Sequence, residues 1–236
     1  MVDHLVRILK ALKPDVFIFE NVQNILVHDE GRTIKAIEKK LTTGFGVGKA
    51  LQYSFDHVKF RATDFGLPQN RKRLVMFGAQ KYDASSPDTE DPNLNLSRLK
   101  DITHSEPWRE YRRSEEYKEI KIWDVLKVSE EAYREHKWKM KHGSVKSNPE
   151  IGYTLRCGGA LSPVWSRHNW DGYKIGGKVR RVTEDECKEL MGFPEWYKFA
   201  QDLSRTRAKL QLGNSVPVPA IKFISELVLK KSGVLD

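Results

Sequence analysis

The sequence predicts an α/β fold: an open sheet flanked by helices, joined to a smaller and mostly irregular second domain. Three observations carry this reading. Leu5, Ile8, Leu9 and Leu12 recur at helical spacing, and Pro14 closes that stretch before a continuous apolar run, Val16-Phe17-Ile18-Phe19, the pattern of a helix leading into a buried parallel strand, apolar on both faces. Helix-period and strand-like segments then alternate as far as Gly78. Beyond residue 84 the periodicity stops, and it returns only after residue 180.

Taken in order, a second helix is predicted from Thr33 to Leu41, with strands near Tyr53 to Arg61 and Arg73 to Gly78. Ala84 to Ser97, rich in Ser, Pro, Asp and Asn, reads as a linker. The stretch up to Val179 is irregular and holds five of the six tryptophans (Trp108, Trp123, Trp138, Trp165, Trp170) among basic residues, which marks a separate recognition lobe. Thr183-x-x-Glu186 has the spacing of a capping box. Cys187, Leu190 and Met191 follow as an apolar face that ends at Gly192. Pro219 suits the first turn of a last helix, with Ile221, Ile224 and Val228 beneath and Lys230-Lys231 at its negative end. The expected domains are residues 1–83, 84–179 and 180–236, the first being half of a sheet and the last packing its final helix back on the first.

The 236 residues carry a formal charge of +9, and from Arg98 to Arg181 there are 19 Lys/Arg against 12 Asp/Glu. Most of the excess therefore lies mid-chain, as suits a lobe that meets a polyanion. Cys157 and Cys187 are too few for a disulfide framework and wrongly spaced for a zinc site, so a reducing compartment is expected. The seven histidines show no ligand spacing, and no metal is expected. The charged start at Asp3-His4 lacks the apolar core of a signal peptide. No segment approaches the roughly 20 apolar residues of a membrane span, and a cytoplasmic location is expected.

Phe19-Glu20-Asn21-Val22 ends the first apolar run, Gln69-Asn70-Arg71-Lys72-Arg73 opens another, and Gly213-Asn214-Ser215-Val216-Pro217 precedes the last helix. With Arg181-Val182-Thr183 through Met191-Gly192-Phe193-Pro194 between them, these segments resemble, in order, the sixth, eighth, ninth and tenth motifs of the cytosine-C5 DNA methyltransferases. The resemblance covers nearly the whole chain and implies an incomplete Rossmann-like, S-adenosylmethionine-dependent sheet with a target-recognition domain. The family's Phe-x-Gly-x-Gly turn for the methyl donor and its Pro-Cys loop carrying the nucleophile would both lie before Met1.

The resemblance also implies roles. In the family a cysteine thiolate adds across C6 of cytosine so that C5 can attack the methyl of S-adenosylmethionine. Glu20 matches the acid that holds N3 of the flipped base, at the strand end where open α/β sheets place ligands. Asn21 positions the adjoining loop. Arg71 and Arg73 lie two apart, so at a strand start both should point to one face and meet one ligand. Arg73 matches the arginine that faces cytosine O2, while Gln69 and Arg71 are assigned to orienting the site and nearby phosphates. Asn214, Ser215 and Val216 match the segment that reaches back to the donor, although a helix cap without a ligand would use the same residues. Thr154-Leu155, ahead of Gly158-Gly159, resembles the pair that touches the backbone near the flipped nucleotide. Base readout by Arg109, Arg112, Arg113, Arg156 or Arg167 stays unassigned, and Arg181 and Glu186 support the recognition lobe.

Other readings weigh less. Gly44-Phe45-Gly46-Val47-Gly48-Lys49 follows a helix and lacks the Walker spacing. Cys157 is not preceded by proline, and Cys187 falls on the inner face of a helix, so neither matches the nucleophile. The implied function is part of a DNA (cytosine-5)-methyltransferase of a bacterial modification system, associated with the nucleoid and acting on double-stranded DNA. The alternative is a catalytically silent DNA-binding module; an RNA-directed relative is disfavoured by the length of the recognition region. Met1 fits a natural second reading frame and a truncation equally. A strand apolar on both faces should have two neighbours, yet the later strands can flank it on one side only. A second subunit, or the missing N-terminal half, is therefore expected at the other edge.

Overall fold

The computed structural model describes residues 2–43, 52–80, 102–135 and 150–235 apart from 165, 167 and 177. The glycine-rich stretch Gly44 to Lys49, the linker Ala84 to Ser97, Trp138, Trp165 and Arg167 lie outside them. The chain forms two compact units: residues 1–60, 72–110 and 222–236 make the first, and residues 61–71 and 111–221 make the second.

The first unit starts with α1 (Val2–Leu12), which ends one residue before Pro14 as Lys13 turns to a left-handed φ of 47°. It leads into β1 (Val16–Asn21), then α2 (Arg32–Thr42), β2 (Asp56–Arg61) and β3 (Lys72–Ala79). These are the helices and strands the hydrophobic periods predict, with ends shifted by one to three residues. The sheet order is β1-β3-β2. Leu9, Phe17, Ile25, Ile37, Leu41, Tyr53, Leu74 and Met76 form its core.

One expectation about β1 is corrected. It does not pair in parallel: its neighbour β3 runs antiparallel, in a register that sets Phe17 against Gly78 and Glu20 against Val75. Only residues 62–71 connect β2 to β3, fewer than the dozen or more a parallel crossover needs. The chain therefore turns back, and β3 enters the sheet reversed. It is β3, not β1, that is enclosed on both faces, with Leu74 to Phe77 all buried. Gly78 is required there, because a Cβ would overlap the Ser54 carbonyl oxygen and press on the Phe17 ring. β1 is an edge strand with only Phe17 buried. Of the predicted α1 face, Leu9 is buried, but Ile8 and Leu12 stay 44% and 73% exposed.

The second unit is more ordered than its sequence suggests. Helix α3 (Glu106–Arg113) starts in the first unit and ends here; α4 (Ile122–Val125), α5 (Glu130–Glu135) and the antiparallel hairpin β4 (Gly172–Ile175) and β5 (Lys178–Arg181) follow. Then come α6 (Glu184–Met191) and α7 (Arg205–Asn214), while α8 (Val218–Lys231) returns the chain to the first unit. Trp123 and Trp170 are core residues, packed with Ile122, Tyr173, Leu190 and Leu212. The capping box at α6 forms as its spacing predicts: Thr183 Oγ1 accepts from the Glu186 amide at 3.1 Å, and Glu186 returns a carboxylate to the Thr183 amide at 2.8 Å. Lys230 and Lys231 occupy the last turn of α8, over buried Ile224 and Val228.

Candidate functional site

In the first unit the site residues gather at the C-terminal end of β1. Glu20 and Arg73 sit on neighbouring strands, and Arg73 Nε lies 2.7 Å from Glu20 Oε1. Both side chains are partly screened from water, at 25% and 15% exposure, so the pair is stronger than a surface ion pair. Burial draws the Arg73 guanidinium below its usual range, and Glu20 opposes that shift. An arginine stays charged even so. The pair thus places a carboxyl group and a fixed positive charge side by side at the end of β1. Asn21 Oδ1 accepts from the Val22 amide at 2.8 Å, which shapes the turn leaving the strand. Gln23 escaped the sequence reading. Its side-chain amide donates to the carbonyls of Arg73 (3.2 Å) and Phe60 (3.4 Å), so it fixes the main chain from which Arg73 projects. The only sequence signal for it is its position two residues after the acid-bearing turn.

In the second unit the remaining residues gather around α7. Arg71 is buried, and its terminal nitrogens donate to Leu155 O (2.6 Å), Ser215 O (2.6 Å) and Gly213 O (3.0 Å). The expectation that Arg71 and Arg73 meet one ligand is therefore corrected: Arg73 pairs with a carboxylate, while Arg71 binds carbonyls. The reason is that β3 begins only at Lys72, so the two-residue alternation of a strand does not extend to Arg71. Gln69 is also enclosed. Its amide donates to Leu190 O and contacts Met191 Sδ, while its Oε1 accepts from the Leu155 amide. Thr154 donates to Asn70 O at 3.0 Å. Gln69, Arg71 and Thr154 thus run two chain segments alongside each other, with Gly152 bridged in parallel to Gln69.

The Gly213 to Val216 turn closes one helix before it opens another. Asn214 is the last residue of α7 and exposed; Ser215 follows it and donates from Oγ to Leu212 O at 2.7 Å. Val216 is half-buried ahead of α8. Asn214 is thus exposed at the break between α7 and α8.

Behind the turn lies a charged core. Asp171, just before β4, and Lys209, on α7, are both fully enclosed with Oδ2 and Nζ 2.7 Å apart, and Arg181 adds a second ion pair at 2.7 Å. Burial alone would raise the Asp171 carboxyl, but Lys209 and Arg181 outweigh it and hold the group below its ordinary value. Lys209 was legible only as a lysine one turn from Leu212 on the inner helix face. Arg180 grips Glu186 with both terminal nitrogens at 2.7 and 2.9 Å. Arg181 and Glu186 are therefore both held in ion pairs within the second unit. Cys187 is buried and its thiol is pushed up to about 12, chiefly by burial. Cys157 is exposed. Among the described residues no group of three or more His, Cys, Asp or Glu side chains could hold a metal, and no helix is long and apolar enough to cross a membrane.

The α/β fold described above is shared with solved methyltransferases. The S. pombe Dnmt2 methyltransferase superposes with a TM-score of 0.59 at 14% identity, covering 97% of this chain and 71% of that one. The Entamoeba histolytica methyltransferase EhMeth gives 0.57 at 16%, covering 97% and 68%. More particularly, residues 2–230 match the C-5 cytosine-specific DNA methylase profile, and the chain belongs to that family. It is similar to the Type II methyltransferase M1.ScrFI of Lactococcus lactis subsp. cremoris, 32% identical over 96% of this chain and 54% of that protein. It is also similar to M.SsoII of Shigella sonnei, 29% identical over 95% and 55%. The chain spans about half the length of the curated relatives it matches.

Proposed function

We propose that this chain supplies the base-binding and target-recognition part of a DNA (cytosine-5)-methyltransferase, which moves a methyl group from S-adenosylmethionine to C5 of a flipped cytosine in a specific double-stranded sequence. The observation that carries this reading is the Glu20–Arg73 ion pair at the end of β1. Once a cysteine thiolate from outside these 236 residues has added to C6, electron density moves onto the ring. Glu20, when it carries a proton, donates it at N3, and Arg73 donates at O2, so that together they hold that charge in a partly water-excluded site. S-adenosylmethionine supplies an electrophilic methyl to C5, and Asn214, Ser215 and Val216 form one wall of its site. Asn21 shapes the turn at the end of β1, Thr154 ties its segment to Asn70, and residues 84–179 read the DNA. Cys187 is unsuited to the nucleophile's part, since a thiol held at about 12 stays neutral near pH 7.

The thiolate and most of the donor pocket come from a partner subunit or from a longer parent chain. β1 is an edge strand, and exposed Ile8, Leu12, Val22 and Val27 lie in the same early segment. An open apolar edge of this kind is what a further strand covers.

Glu20→Gln in the completed enzyme should leave duplex affinity within about twofold while slowing methyl transfer roughly 100-fold or more, on the scale of a lost transition-state contact. Arg73→Ala should slow transfer as well and reduce trapping of the extruded base, whose flipping costs a few kcal/mol. Normal turnover in both variants with altered affinity alone would remove these residues from the reacting base. The silent DNA-binding module would then be the better account.

A further inference from the structure

We propose that Arg71 is a positioning residue that couples the turn 213–216 to the segment 154–157, so that donor binding and DNA binding reinforce each other. This rests on the assignment of those two segments above. Arg71 is enclosed, and its contacts divide between Leu155 on one segment and Gly213 and Ser215 on the other. The planar fork holds its two terminal nitrogens apart, one on each segment, whereas the three donors of a lysine ammonium radiate from a single nitrogen. Two of those carbonyls end α7, where the negative end of the helix dipole favours a cation.

The same two segments touch directly. A Cβ on Gly213 would overlap the carbonyl of Arg156 and the amide nitrogen of Cys157, so the spacing is set by contact of main chain on main chain. One turn earlier, Lys209 ties α7 to Asp171, with both side chains fully enclosed. The last two turns of α7 are thus held from the recognition side by two buried cations and one glycine contact. A shift of 154–157 on meeting DNA must carry the donor turn with it. Since coupling between two ligands is reciprocal, donor occupancy must favour DNA by the same factor. A buried guanidinium shared among three carbonyls is in no position to contact a phosphate.

The test uses the enzyme completed with its Pro-Cys half. Duplex affinity is measured with and without S-adenosylhomocysteine, for the wild type and for Arg71→Lys. In the wild type, S-adenosylhomocysteine should tighten duplex binding by about 5-fold or more, within the usual range for coupled sites. Arg71→Lys should bring that factor close to one and weaken S-adenosylhomocysteine about tenfold, with the salt dependence of duplex binding unchanged. A log-log salt slope reduced by about one unit would make Arg71 a phosphate contact and overturn the proposal. So would undiminished coupling, or a fall in kcat with both affinities and the coupling intact. A wild type that binds neither ligand would reject the functional reading instead. Hydrogen exchange in the 236-residue chain then decides the clamp by itself: Arg71→Lys should speed exchange about tenfold in 154–157 and 213–217 together and leave 72–79 as it was. Acceleration in only one of the two segments, or throughout the chain, overturns the proposal.

Discussion

At the scale of single residues, this chain places charge where burial makes it costly and then neutralises it. Asp171 is the clearest case, receiving Lys209, Arg181, the Asn169 amide and the Leu161 main-chain N–H. Removing one partner strands the other, so Lys209→Met should cost roughly 3–5 kcal/mol of stability, and Lys209→Met with Asp171→Leu should recover most of that loss. Thermal or urea unfolding of the two variants measures the difference; a double variant as unstable as the single one would show that the pair does more than satisfy itself. The pH dependence follows from the depressed carboxyl. Its stabilisation is fully present above the ordinary carboxylate value of 3.8 and is lost as pH falls through the lower folded value. Wild-type stability should therefore drop more steeply below about pH 4 than that of the double variant.

Elements are where the sequence was most and least legible. Hydrophobic period alone located α1, α2, β2, β3 and α8, because each carries one regular apolar stripe or run. The capping box at α6 was visible because its residues lie three apart and act on each other; Thr183→Ala should cost about 1 kcal/mol, read as a shift in urea midpoint at constant slope, and an unchanged midpoint would mean the Arg180–Glu186 pair alone holds the helix start. Strand direction was misjudged for a different reason. Val16 to Phe19 has the composition of an enclosed strand whichever way its neighbour runs, and only the shortness of the 62–71 connection betrays the reversal. The short helices of residues 106–135 and the β4–β5 hairpin went unseen because each has at most about two turns or one pair of strands, too little for a period to register. The Glu20–Arg73 pair was legible through motif residues, whereas Arg71 was not: whether a guanidinium faces a ligand or three carbonyls depends on segments that lie some 84 and 144 residues away.

For the molecule as a whole, the expectation is incompleteness with a definite remedy. Mixed with a chain that carries the Phe-x-Gly-x-Gly and Pro-Cys half of a relative, this chain should form a stable heterodimer and transfer methyl groups, which the isolated chain should not do. The apolar area of β1 and α1 covered in doing so is worth on the order of 25 cal/mol per Å², less the cost of association. Sedimentation of the mixture, with labelled S-adenosylmethionine and duplex DNA as the activity readout, checks both parts. Methyl incorporation by the isolated chain that survives Cys157→Ala with Cys187→Ala would mean a different nucleophile, and a monodisperse monomer indifferent to that half would mean that the open edge is closed in another way.

The flush seating of Gly213 on the Arg156–Cys157 main chain sets a rule for retargeting by cassette exchange. A foreign recognition region that replaces residues 154–157 brings its own backbone to a place with no clearance, and any bulge there pushes α7 outward. Cassettes should therefore be spliced so that native 154–157 stays, with joints before Glu150 and at the exposed Gly158, and with Asp171 kept to meet Lys209. Grafts that honour those seams leave α7 in place; grafts that cut across them displace it together with the 213–216 turn.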